Sequence, residues 1–162
     1  MKRATAPALL HTTRSEPERS YWYHGYLLTF LATGEDTGGA FSIVETVGRK
    51  DQSALPPRHV HTREEEVFYI LEGAATFYTD DLEIKATAGS LVTLPRGVPH
   101  WFSIDSDEVR WLNLVMPAGF EQFFKTLGEP AHSAELPPAP AEMDIPKVIA
   151  AAREHGCEIL PT

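Results

Sequence analysis

Between residues 55 and 117 the chain is cut into short apolar runs, and nearly every cut is marked by a glycine, a proline or an aspartate. The runs are LPPRHVH, EVFYILEG, AATFYTDD, LEIKATA, GSLVTLP, HWFSID and VRWLNLVMP. Segments of this size, recurring about every 8 to 12 residues with no helical period between them, predict an antiparallel sandwich or barrel. Upstream, YWYHGYLLTFLA and AFSIVE flank TGEDTGG, whose glycines and acids favour a turn over a helix. That predicts a hairpin-like pair of strands from Tyr21 to about Glu45. The expected fold class is all-β.

The two ends differ from this centre. Residues 1–20 mix Pro7, Pro17, charges and small residues without a period, which predicts an extended arm. After Pro117, AGFEQFFKTLGE sets Phe120, Phe123, Phe124 and Leu127 on one helical face, expected to pack on the core, with Gly128 ending the helix. Five of the 13 prolines fall in 129–146, a linker or a chain lying along the surface. Asp144 is placed to cap a short helix, IPKVIAAAREH, that is expected to close the chain. The organisation expected is an arm over 1–20, a β-domain over 21–117, and a helix, Pro-rich linker and terminal helix over 118–162.

Charge narrows the partners. With 14 Lys plus Arg against 23 Asp plus Glu, a net charge of -9 lacks the basic footprint of nucleic-acid binding. No apolar stretch reaches the length of a membrane span, so no membrane partner is expected. The single Cys157 excludes an internal disulfide framework and points to a reducing, cytoplasmic setting. Tyr21, Trp22 and Tyr23 are expected at a subunit contact of a homodimer, because aromatics are enriched in interface cores.

The chemistry lies in HVHTREEEVFYILEG and GSLVTLPRGVPHWF. His59 and His61 are two apart at a strand end, where alternate side chains share a face. The intervening TREE is expected to turn the chain so that the next strand runs back beside the first, with Glu66, Phe68 and Ile70 on one face. Glu64 and Glu65 are expected to form a solvated acidic turn. A turn at Arg96-Gly97 brings in His100, with Phe102 and Ile104 on its face. Three imidazoles and one carboxylate make a mixed nitrogen and oxygen shell suited to one divalent iron, manganese, nickel, cobalt, copper or zinc ion. Phe68, Ile70, Phe102 and Ile104 would line an apolar substrate pocket, and no convergent Lys or Arg set is present to neutralise a phosphate.

These residues resemble a known family. His59-x-His61, four residues, Glu66, six residues and Gly73 is similar to the first cupin motif; Gly89, five residues, Pro95-x-Gly97, two residues and His100 is similar to the second. Two positions depart from the pattern, Ser53 for an opening glycine and Ile104 for a closing asparagine, and neither is a metal ligand. The resemblance implies a single jelly-roll barrel, or double-stranded β-helix, with His59, His61, Glu66 and His100 on a metal. LATGEDTGGAF, FYILEG, LPRGVPHWF and PAGFEQFF further resemble small cupins of the quercetin dioxygenase type. That implies a dioxygenase acting on an aromatic or enolisable small molecule, with substrate, dioxygen or both meeting at the open side of the metal and Glu66 leaving the metal to act as a base on an acidic hydroxyl. An oxygen-independent isomerase, cyclase or lyase, and a non-catalytic binding protein, are the alternatives.

Overall fold

The computed structural model describes residues 9–14, 16–140 and 142–161; the first eight residues of the expected arm lie outside these. A 3-10 turn over Pro17–Arg19 leads into β1 (Ser20–Tyr23), β2 (Tyr26–Ala32), the single-turn helix α1 (Gly34–Thr37) and β3 (Ser42–Arg49). Then follow β4 (His59–His61), β5 (Glu65–Glu72), β6 (Ala74–Thr79), β7 (Glu83–Thr87), β8 (Leu91–Leu94), β9 (His100–Ile104) and β10 (Glu108–Met116). The chain continues through α2 (Glu121–Leu127), β11 (Glu129–Pro130), α3 (Ile145–Glu154) and β12 (Cys157–Ile159).

The strands form two antiparallel sheets, β11-β1-β2-β3-β10-β5-β8 and β12-β4-β9-β6-β7, arranged as a jelly-roll. Burial along β5 alternates as strand geometry requires, Glu66, Phe68 and Ile70 being buried while Tyr69 is exposed. The inward faces bury one apolar cluster that includes Phe30, Val44, Phe68, Ile70, Phe77 and Trp111. A second, smaller cluster joins Phe120 and Phe123 of the α2 region to Val148 and Ala151 of α3 and to Cys157. No helix among the described residues is long and apolar enough to cross a membrane.

Four expectations are corrected. YWYHGYLLTFLA is two strands, because His24 and Gly25 both take positive φ, 41° and 89°, and close a two-residue hairpin turn. TGEDTGG holds the one-turn helix α1, held at its start by the Asp36 carboxylate, which accepts the Thr33 N–H at 2.9 Å. β5 does not run beside β4. The residues between them carry the chain from one sheet to the other, since β5 is flanked by β10 and β8 while β4 is flanked by β9 and β12. The terminal helix does not close the chain either: β12 follows it and adds an edge to β4, setting Cys157 opposite His61 and Ile159 opposite His59.

The aromatic run at 21–23 is engaged within its own chain. Tyr21 meets Phe30 edge-on at 5.4 Å, Trp22 donates its Nε1–H to the Glu135 carbonyl at 3.0 Å, and Tyr23 meets Phe124 at 5.1 Å. These aromatics therefore need no second subunit to explain them.

Gly73, between β5 and β6, has φ 81°, and a Cβ there would lie 2.3 Å from the Glu108 carbonyl oxygen. Gly73→Ala is expected to cost about 2 kcal/mol or more, since left-handed backbone alone costs an L-residue roughly 1–2 kcal/mol. The midpoint of urea unfolding measures it, and an unchanged midpoint would contradict this turn geometry.

Candidate metal centre

The jelly-roll sets β4 and β9 side by side, so that His59 lies directly opposite His100. His61 shares their inner face two residues on, and Glu66 faces them from β5 in the other sheet. The four residues offer ligand atoms that all lie within 4.8 Å of one another. His61, Glu66 and His100 are buried, and His59 is half-buried.

Glu66 is the hub. Its Oε2 lies 3.2 Å from His61 Nε2 and 3.0 Å from His100 Nε2, and its Oε1 lies 3.4 Å from the donating Asn113 amide. Burial alone would raise the Glu66 carboxyl, but His61, His100 and His59 together hold it down at about 2. Burial lowers His59 to about 4, reinforced by the neighbouring His100 and His61. At His61 burial also acts downward, yet Glu66 and Glu64 outweigh it and raise the imidazole.

The outer ring atoms show what the inner ones are for. His59 Nδ1 lies 2.7 Å from the Pro57 carbonyl and His100 Nδ1 lies 2.9 Å from the Val98 carbonyl. A carbonyl only accepts, so each Nδ1 donates its proton there, which leaves Nε2 as the ring atom available to an ion on the inner side. Nitrogen lone pairs and a carboxylate oxygen converging in a buried space call for a cation, so the residues fit a divalent transition metal.

Beside this cluster lies a cavity between the sheets. Phe68 of β5, Phe102 of β9 and Trp111 of β10 form one wall, and Phe120, Phe123 and Phe124 form another. Leu55, which is exposed, and Pro57 sit at its rim, in the loop that leads to His59. No lysine or arginine is among the described residues that line it. Of the four pocket residues expected from the sequence, Phe68 and Phe102 line the cavity, while Ile70 and Ile104 lie in the adjoining apolar cluster.

Three features escaped the sequence. The Phe120 ring stands edge-on to His61 at 4.4 Å, so the helical face expected only to fill the core also borders the centre. Cys157 lines the cavity, its thiol pushed up to about 12 by burial and by Glu66, Glu64 and Glu158, which keeps it protonated and a poor nucleophile. The expected solvated acidic turn is only half present. Glu65 is partly exposed and accepts the Arg96 N–H at 2.6 Å, but Glu64 is 3% exposed and faces His61. The chain's passage between sheets forces that side chain inward, which a run of three glutamates does not reveal.

Residues 50–115 match the Cupin domain family. The chain carries a cupin domain. It resembles the quercetin dioxygenases: 30% of 119 aligned residues are identical to quercetin 2,3-dioxygenase of Bacillus subtilis, covering 74% of this chain and 35% of that protein. Against quercetin 2,3-dioxygenase of Aspergillus japonicus the identity is 27% over 124 residues, covering 73% and 35%. The cupin chain thus spans about a third of the length of these curated relatives. In fold it is similar to an RmlC-like cupin of Shewanella frigidimarina, with a TM-score of 0.52, 20% identity, and 61% of this chain and 82% of that chain covered.

Proposed function

We propose that this cupin is a metal-dependent dioxygenase whose substrate is a flat aromatic or enolisable small molecule. The observation that carries the reading is the aromatic cavity, with no lysine or arginine among its described lining residues, that is lined in part by the convergent His59, His61, Glu66 and His100. The names of the curated relatives agree with it.

A divalent metal held by these four residues would acidify a hydroxyl of the substrate and bring it together with dioxygen. The protein's own residues do the rest. Phe68, Phe102 and Trp111 exclude water and hold a planar ring against the centre. Glu66, held ionised by the histidines around it, would leave the ion to accept the hydroxyl proton. An acceptor so weakly basic suits only a hydroxyl that is itself made acidic. Both oxygen atoms enter the product, so no external reductant is consumed.

The test is oxygen uptake by protein loaded separately with iron, manganese, nickel, cobalt, copper or zinc, with flavonols and enediols as probes. Oxygen consumption matching substrate loss is expected, with Glu66→Gln at least about a hundredfold slower if it removes general-base transfer. Turnover without oxygen uptake would replace the oxygenase with an isomerase, cyclase or lyase. A ligand-dependent thermal shift without turnover would make the domain a binding module.

A further inference from the structure

Two of the three imidazoles at the centre are oriented by backbone. The carbonyls that face His59 Nδ1 and His100 Nδ1 belong to Pro57 and Val98, each two positions earlier in the chain. The course of each strand thus supplies the acceptor, and side-chain identity has no part in it. His61 is different. Its Nδ1 faces Oε2 of Glu64 at 3.5 Å, and both atoms are buried with no hydrogen-bond partner among the described residues.

The surroundings leave that carboxyl as the acceptor facing Nδ1, while Glu66 Oε2 faces Nε2 at 3.2 Å. The His61 backbone is held firmly, its carbonyl accepting the Gly97 N–H at 2.9 Å and its strand pairing with β12 at Cys157. Phe120 packs edge-on against the ring at 4.4 Å, but a hydrocarbon cannot choose which nitrogen carries the proton. Only Glu64 presents an acceptor to Nδ1 among the described residues. A buried carboxyl without a partner is strongly disfavoured, so its placement opposite an equally unpartnered ring nitrogen indicates a matched pair.

We propose that Glu64 is the positioning residue of the metal centre. It accepts the Nδ1–H of His61 when the ring gives its Nε2 lone pair to the ion, and thereby raises the affinity of the centre for that ion. The inference rests on His59, His61, Glu66 and His100 being metal ligands and is independent of whether the reaction uses oxygen.

Two variants of the full chain test it. Glu64→Gln keeps an accepting oxygen in the same place, and Glu64→Met fills the space without one. Titration of metal-free protein with Co(II) is expected to show binding weakened ten- to a hundredfold in Glu64→Met and less than tenfold in Glu64→Gln, the range usual for a lost outer partner of a metal-bound histidine. The second readout is the imidazole NMR spectrum of protein loaded with diamagnetic Zn(II), in which Nε2 is committed to the ion and each Nδ1–H is followed directly. The His61 Nδ1–H should lie downfield, as a proton held by a carboxyl or amide oxygen does, in the parent and in Glu64→Gln, and move upfield in Glu64→Met, while the Nδ1–H signals of His59 and His100 stay unchanged in all three. A purely structural glutamate would move neither the His61 Nδ1–H signal nor the difference between the variants. Parent-like Co(II) affinity and an unchanged His61 Nδ1–H signal in Glu64→Met would overturn the proposal. A parent protein that takes up neither Co(II) nor Zn(II) would overturn the metal centre and the proposal with it.

Discussion

Replacing His59 and His61 together by alanine is expected to take the metal content of protein purified without chelator from about one ion per chain to near zero. The two imidazoles are half of a four-atom donor set confined within 4.8 Å. A closed four-ligand zinc site binds with roughly 10–16 kcal/mol, or about 3 kcal/mol per donor, so losing two weakens binding by about 6 kcal/mol, a factor of roughly ten thousand. What remains, Glu66 and His100, is a two-donor site that ordinary washing strips. Elemental analysis of the variant beside the parent measures this, with circular dichroism to establish that both are folded. Undiminished metal in the double variant would remove the site assignment and the proposed dioxygenase with it.

Phe77→Ala is expected to have the largest effect on stability. Phe77 is 1% exposed and touches Phe68 at 4.8 Å, Phe102 at 5.9 Å and Trp111 at 6.4 Å between ring centroids. These three line the cavity, and Phe77 stands behind them without lining it. Truncating a buried phenylalanine costs about 3–5 kcal/mol, and each kcal/mol moves the midpoint of a domain this size by roughly 2–4 °C, so thermal unfolding should fall by about 6–20 °C. Leu91→Ala, at a side chain 62% exposed, is the control and should stay within about 0.5 kcal/mol of the parent. A Phe77→Ala midpoint matching that control would mean that the core is not centred where the packing puts it.

The two experiments probe different levels of the same arrangement. Phe68 and Ile70 continue the inward face that begins at Glu66, so the strand that anchors the core also delivers the carboxylate. Loosening the aromatic packing behind Phe68 and Phe102 should therefore lower substrate affinity before it lowers metal affinity. The four clustered residues are spread over β4, β5 and β9, whereas Phe77 on β6 packs against Phe68 and Phe102 of the aromatic wall.

How much of this was legible beforehand depends on the range of the forces involved. The two-residue alternation of a strand is a local property, so the shared faces of His59 with His61 and of Glu66 with Phe68 and Ile70 could be read directly. So could the turn at Arg96-Gly97 and the cap at Asp144, which accepts the Lys147 N–H at 3.1 Å. The spacing of His59, His61, Glu66 and His100 pointed to a common centre through its likeness to the cupin motifs, and the residues do converge, but Glu66 arrives from the opposite sheet and not from a strand beside β4.

Other features were decided by segments far apart in the chain. Glu64 belongs to a run of three glutamates that looks solvated, and it is buried only because the chain crosses there from one sheet to the other. Cys157 and Ile159 read as a tail after a helix, and they become a strand because β4 offers a free edge. Phe120 looks like one residue of a packed helical face, and it meets His61 because the α2 region lines the same cavity as the histidines. The amino-acid sequence by itself determined most of the strands between 59 and 116 and which side chains share a face on each, since these follow from contacts within a few residues. Only the tertiary structure decided which strands are neighbours, which acid is hidden from water and which aromatics wall the cavity, because burial is a property of the surfaces that meet.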